Sequence, residues 1–180
     1  MLCGYGTNAG LDPRITLPAT LAALLWAKDP QSYRPREALA EAAQLVGPDP
    51  GAIVALSHLA GASPVEESPG GVALAIMAAL SDPAVIDESA SVLRSTLSDI
   101  AQLAEAPGFA EWVATCKTHL EAGLLGLELL AGRSEDDAVL QRAIDELRAE
   151  ERSVASGSVP MLLDHVRGRR GAPDPHWPDG

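Results

Sequence analysis

Aromatic side chains are what this 180-residue sequence has least of: three Trp, two Tyr and one Phe, 3% of the chain, although hydrophobic residues make up 47%. A core without aromatic slabs must be assembled from Ala, Leu, Val and Ile, which suits closely packed helices and leaves few rigid walls for gripping a flat organic ligand. Cysteine is nearly as scarce. Cys3 and Cys116 cannot supply a disulfide framework, and no spaced Cys/His quartet is present, so the expected setting is a reducing cytoplasm. Basic residues are also in short supply, 13 Lys and Arg against 25 Asp and Glu, giving a formal net charge of −12. The mean field of such a chain repels phosphate backbones, which argues against nucleic acid as a partner; Arg167, Arg169 and Arg170 form only a short basic patch. No apolar run approaches the ~20 residues that span a bilayer. The opening "MLCGYGTNAG" has neither the basic nor the apolar region of a secretory signal, so no membrane association is expected. No run of four or more alternating residues argues for a strand.

What remains is helical periodicity punctuated by proline. Leu17, Leu21, Leu24 and Leu25 fall on one face of a first helix, expected over Leu17 to Lys28. Pro35 suits the first turn of a second helix bearing Leu39, Ala42, Ala43 and Val46, and Gly47-Pro48 ends it. Asp49 and Pro50 start a third, with Ile53, Leu56 and Ala60 on its apolar side. The loop of residues 62–69 precedes a fourth, through Val72, Ile76 and Leu80. Asp82-Pro83 opens a fifth, through Ile86, Ala90, Leu93, Leu97 and Ile100. The longest, over 109–131, carries Phe109, Trp112, Val113, Cys116, Leu120, Leu124, Leu127 and Leu130 on one stripe and stops at Gly132. Ser134 with Asp137 reads as a capping box for a helix bearing Leu140, Ala143, Ile144 and Leu147. Pro160 starts a last helix through Met161, Leu162 and Val166. The expected organisation is a flexible segment over 1–14, one helical domain over 15–167, and a flexible Pro/Gly-rich tail over 168–180. The fold class is all-α, seven or eight helices arranged as stacked antiparallel hairpins or as an irregular helical bundle.

The chain also echoes itself. Asp29-Pro30 returns as Asp82-Pro83, an offset of 53, and Ala84-Val85 returns as Ala138-Val139, an offset of 54. The run from Leu129-Leu130-Ala131-Gly132-Arg133-Ser134 to Leu147 resembles the divergent tetratricopeptide-like helical-hairpin repeats of actinobacterial multidomain proteins, over residues 17–47, 70–101 and 120–150. The resemblance implies a TPR-like stack that binds proteins and has no catalytic residues. The chain departs from the pattern in its period, longer than the roughly 34 residues of the standard repeat, and lacks that repeat's Trp, Gly and Tyr landmarks.

Candidate site residues divide by the function they would serve. For a protein partner or a homo-oligomer, Trp26, Tyr33, Arg34 and Arg36 cluster about the first turn, and large aromatics and Arg dominate interface energetics. Trp177, in a tail with little periodicity, has nothing to bury against unless it docks. For a small helical enzyme or ligand-binding protein, the polar groups would be His58, Cys116 and His119 in a pocket beside the 109–131 helix. Cys116 and His119 alone make two ligands where zinc takes three or four, and Cys116 lies on the apolar stripe, so neither a metal nor a cofactor is expected. The acidic pairs Glu66-Glu67 and Glu150-Glu151 read as solvated charge. The function expected is therefore a non-enzymatic interaction or oligomerisation module.

Overall fold

A computed structural model describes residues 13–47, 49–61, 71–133, 136–150 and 154–169. They form eight α-helices and, among the described residues, no strand: α1 (Pro13–Lys28), α2 (Pro35–Val46), α3 (Pro50–Gly61), α4 (Gly71–Ser81), α5 (Ile86–Ala101), α6 (Ala110–Leu130), α7 (Asp137–Ala149) and α8 (Ser158–Arg169), with short 3₁₀ turns at Pro83–Val85 and Ala155–Gly157. The all-α expectation holds. Of the expected flexible ends, residues 1–12 and 170–180, with Cys3 and Trp177, lie outside the described residues, whereas 13–14 belong to α1 and 168–169 to α8.

Local chemistry explains the boundaries. Pro35 and Pro50 open α2 and α3, where the missing N–H is one that no carbonyl would have met. The Asp49 carboxylate accepts from the Ala52 amide at 3.0 Å, and Asp82 accepts from Ala84 at 2.9 Å to set the turn before α5. Boundaries differ from expectation at α8, which begins at Ser158 with Pro160 inside its first turn, and at α1 and α7. Helix α1 begins at Pro13, four residues early, because Pro13 is itself a first-turn proline; Pro18 then falls inside the helix, removing the amide that would bond to the Arg14 carbonyl, while its ring is buried. The cap of α7 is Asp136, whose carboxylate accepts from the amides of Ala138 and Val139 at 3.0 and 3.1 Å. The expected Ser134 lies outside the described residues. Helix α6 stops where expected, at Gly132. With φ +70° it takes the left-handed conformation that lets its amide reach Leu129 and the Arg133 amide reach Glu128, closing the last turn.

Helix α6 is the hub, packing against α3, α4, α5, α7 and α8. The sequence stripe accounts for one of its sides: Phe109, Val113, Cys116, Leu120 and Leu127 are buried. A second buried side, which the stripe does not include, carries Ala122, Gly123, Gly126 and Leu129. A Cβ on Gly123 would stand 2.9 Å from a Leu93 methyl, and one on Gly126 2.8 Å from Leu162 and 3.1 Å from Leu163. The two glycines thus admit α5 and α8 at close range, which offsets the roughly 1 kcal/mol that each costs a helix interior. Helices α4 and α5 are joined by the buried Ser89 hydroxyl, which donates to the Ala75 carbonyl at 2.7 Å.

The core is divided. Residues of α3 to α8, with Ala43 from α2, form one continuous buried cluster containing Ile53, Leu56, Ile76, Leu93, Ile100, Leu120, Leu127, Ile144 and Leu162. A separate small cluster, Ala22, Ala38 and Ala42 with half-buried Leu21, Leu25 and Tyr33 against it, holds α1 to α2. Each of the three echoed segments contains a packed pair, α1–α2, α4–α5 and α6–α7. The order is not a linear stack, because α3 stands between the first two pairs, nothing stands between the second and third, and α8 returns onto both α4 and α6.

Candidate functional site

The residues singled out by sequence occupy three separate places. In the first, α1 and α2 with their turn, Trp26 is half-buried in the last turns of α1. Tyr33 is also half-buried and packs onto the alanine cluster between the helices, so its ring serves the hairpin itself. The turn is organised locally: the Asp29 carboxylate accepts from the amides of Gln31 and Ser32 at 3.3 and 3.4 Å. Its pKa is lowered, chiefly through its hydrogen bond with the Ser32 side chain. Arg34 folds back, donating to the carbonyls of Ser32 and Tyr33 at 3.3 and 3.2 Å, while Arg36 is exposed on the first turn of α2.

The same hairpin presents large apolar side chains that were not singled out. Leu17 and Leu24, seven residues apart on one face of α1, are 40% and 55% exposed, and Leu45, near the end of α2, is 74% exposed. The signal that points to them is negative: from Ile15 to Ala27 the chain has no ionisable residue. Charge is partitioned as well. Residues 13–47 carry four basic and three acidic side chains, a net +1, whereas residues 49–150 carry five basic against 17 acidic, a net −12.

The second place is a small pocket of about 110 Å³ where α3 meets the start of α4, lined by Ala55, His58, Leu59, Val72, Thr96 and Ala155 among others. His58 is exposed at its edge, and the Thr96 hydroxyl is engaged with the Val92 carbonyl at 2.9 Å. The volume suits a few waters or one branched side chain and falls well short of the ~300 Å³ at the lower end of ligand sites. It does not include α6, so His58 is not brought together with Cys116 and His119.

Those two residues form the third place, a polar joint between α6 and the end of α7. The Thr115 hydroxyl donates to the Glu150 carboxylate at 2.9 Å across 35 residues of sequence. One turn along α6, His119 Nδ1 lies 3.0 Å from the Thr115 carbonyl. A carbonyl only accepts, so the neutral ring carries its proton on Nδ1. His119 is 3% exposed, and burial pushes its pKa below the usual histidine value against opposing contributions from the Thr115 bond and the Glu150 charge. Cys116, fully buried, has its thiol pushed up to about 12 by burial first and by Glu150 second. A thiol so protonated is not a nucleophile near neutral pH. Among the described residues no group of three or more His, Cys, Asp and Glu is placed to hold a metal ion. Thr115 and Glu150 escaped sequence reading because only the fold brings them together, and Glu150 stood in an acidic pair that looked solvated.

Compared with known proteins, the chain matches no family model, no curated protein and no solved structure. Among the described residues no helix is long and apolar enough to cross a membrane.

Proposed function

We propose that this chain is a non-enzymatic, cytoplasmic protein-interaction or oligomerisation module whose working surface is the α1–α2 hairpin. The observation that carries the proposal is the exposure of Leu17, Leu24 and Leu45 on a segment relieved of the chain's negative charge. Leucines left in water on a helix pair of near-zero net charge are the kind of surface a protein partner covers. The hairpin-repeat reading belongs to the same proposal, supported by an even spacing: the second helices of the three pairs begin at Pro35, Ile86 and Asp137, each 51 residues after the last.

Native mass spectrometry of the purified chain tests it. A protein assembly at a stoichiometric mass, lost on Leu24→Glu, is the expected result. A metal or small molecule bound one per chain, with no protein assembly, would overturn the reading and direct attention to His58 or to the joint at His119.

A further inference from the structure

We infer that the partner covering the α1–α2 face is a second copy of this chain, meeting the first across a two-fold axis so that the two α1 helices lie antiparallel. The inference rests on the interaction-module reading above and names its occupant.

Charge selects the geometry. Two chains of net −12 repel if their bodies meet, because residues 49–150 hold the whole of that excess. Through residues 13–47, at net +1, the copies approach along the near-neutral end of each molecule and keep the acidic bodies apart. The apolar pattern is self-complementary in the sense a two-fold interface demands, where residue i meets j and j meets i. With the axis passing between Thr20 and Leu21, Leu17 of one copy sits on Leu24 of the other, and the reverse contact forms at the other end. No ionisable side chain from Ile15 to Ala27 is buried in doing so. A 16-residue helix is about 24 Å long, and two helices side by side are about 20 Å wide, a projected face of roughly 480 Å² against the ~800 Å² that each partner contributes to a standard interface, so the dimer is a small one. Among the other exposed apolar side chains described, Val139 on α7 and Met161 on α8 stand singly, and the pair Leu74 and Met77 on α4 lies within the acidic body and would pair with α1 only head to tail, which propagates instead of closing.

Sedimentation equilibrium of the full chain decides the matter, with circular dichroism to verify that each variant is helical. Wild type is expected at twice 18.7 kDa. Leu24→Glu places a carboxylate in the interface twice per dimer and is expected to weaken association at least about a hundredfold. Because Leu24 is 55% exposed, the variant chain is expected to keep its helical content. Met77→Glu is expected to leave the dimer intact. The proposal is overturned by a wild-type monomer at millimolar concentration, by a dimer that Leu24→Glu does not weaken, by one that Met77→Glu disrupts, or by assemblies that grow beyond two copies. A wild-type monomer whose α1 amides become protected from exchange on adding a different purified protein would sink the self-association while leaving the interaction-module reading standing.

Discussion

Around α6, Leu, Ile and Val side chains from α3 to α8 are withdrawn from water into one cluster, whereas between α1 and α2 the enclosed residues are Ala22, Ala38 and Ala42, and Leu17 and Leu24 stay wet. Both regions are rich in Ala and Leu. What separates them is which of the two faces inward. A buried Leu contributes roughly 1.5–3 kcal/mol through the hydrophobic effect, and an alanine methyl only about 0.8, so the body carries the stability of the chain. The hairpin leans on it, through α3 and through Ala43, which belongs to the body cluster although it lies on α2. The difference teaches that a helix pair can be well formed and still unfinished. Its packing holds the two helices together but leaves leucine for another surface.

The comparison is open to direct attack. The largest effect is expected from Leu120→Ala, a fully buried side chain on α6: about 3–4 kcal/mol lost in denaturant unfolding, against about 1 kcal/mol for Leu25→Ala in the hairpin. Equal costs at the two sites would erase the distinction between body and hairpin. Amide hydrogen exchange reads the same contrast without mutation. In dilute solution, where association is negligible, the α1 amides are expected to exchange at least about a hundredfold faster than those at the centre of α6. Uniform protection would mean that the chain opens only as a whole.

Gly126→Ala sharpens the account of the body. A methyl there meets Leu162, itself fully buried, at under 3 Å, so the strain outweighs the gain in helix propensity and a net loss of about 1–2 kcal/mol is expected by thermal or denaturant unfolding. A stabilised variant would show that α8 yields. The smallest effect concerns pH. His119 is held neutral by burial, so its folded pKa lies below the unfolded value of 6.5. The unfolded chain then binds the extra proton first, and stability falls as pH drops through 6.5 toward the folded value. His119→Gln is expected to flatten that decline in unfolding midpoints taken between pH 7.5 and pH 5.5; an unchanged slope would place the titrating group elsewhere.

Much of the body was legible because its punctuation is chemical and local. Pro35, Pro50, Asp82 and Gly132 act on neighbours within a few residues, and the Leu120 stripe follows helical period. The second buried side of α6 was not legible, since Gly123 and Gly126 are interior only because α5 and α8 approach them, and a glycine gives no periodic apolar signal. The joint of Thr115, His119 and Glu150 was hidden for the same reason of distance. At the hairpin, composition pointed to Trp26, Tyr33, Arg34 and Arg36 as large or charged side chains near a turn. Structure turns Tyr33 inward and Arg34 onto its own backbone, while leucines that looked like core, Leu17 and Leu24, are exposed. Periodicity identifies an apolar face but not whether the chain has anything left to lay against it.

The glycine groove on α6 also fixes when the body can be completed during synthesis. Leu93 of α5 meets the groove at Gly123, but the rest of its filler, Val159, Leu162 and Leu163 of α8, is made after every other helix described. Until residue 163 has left the ribosome the Gly126 end of the groove remains a strip of bare backbone and small side chains. A nascent chain that pauses after α7 holds its hub helix half-covered, and in that interval other apolar segments compete for the groove.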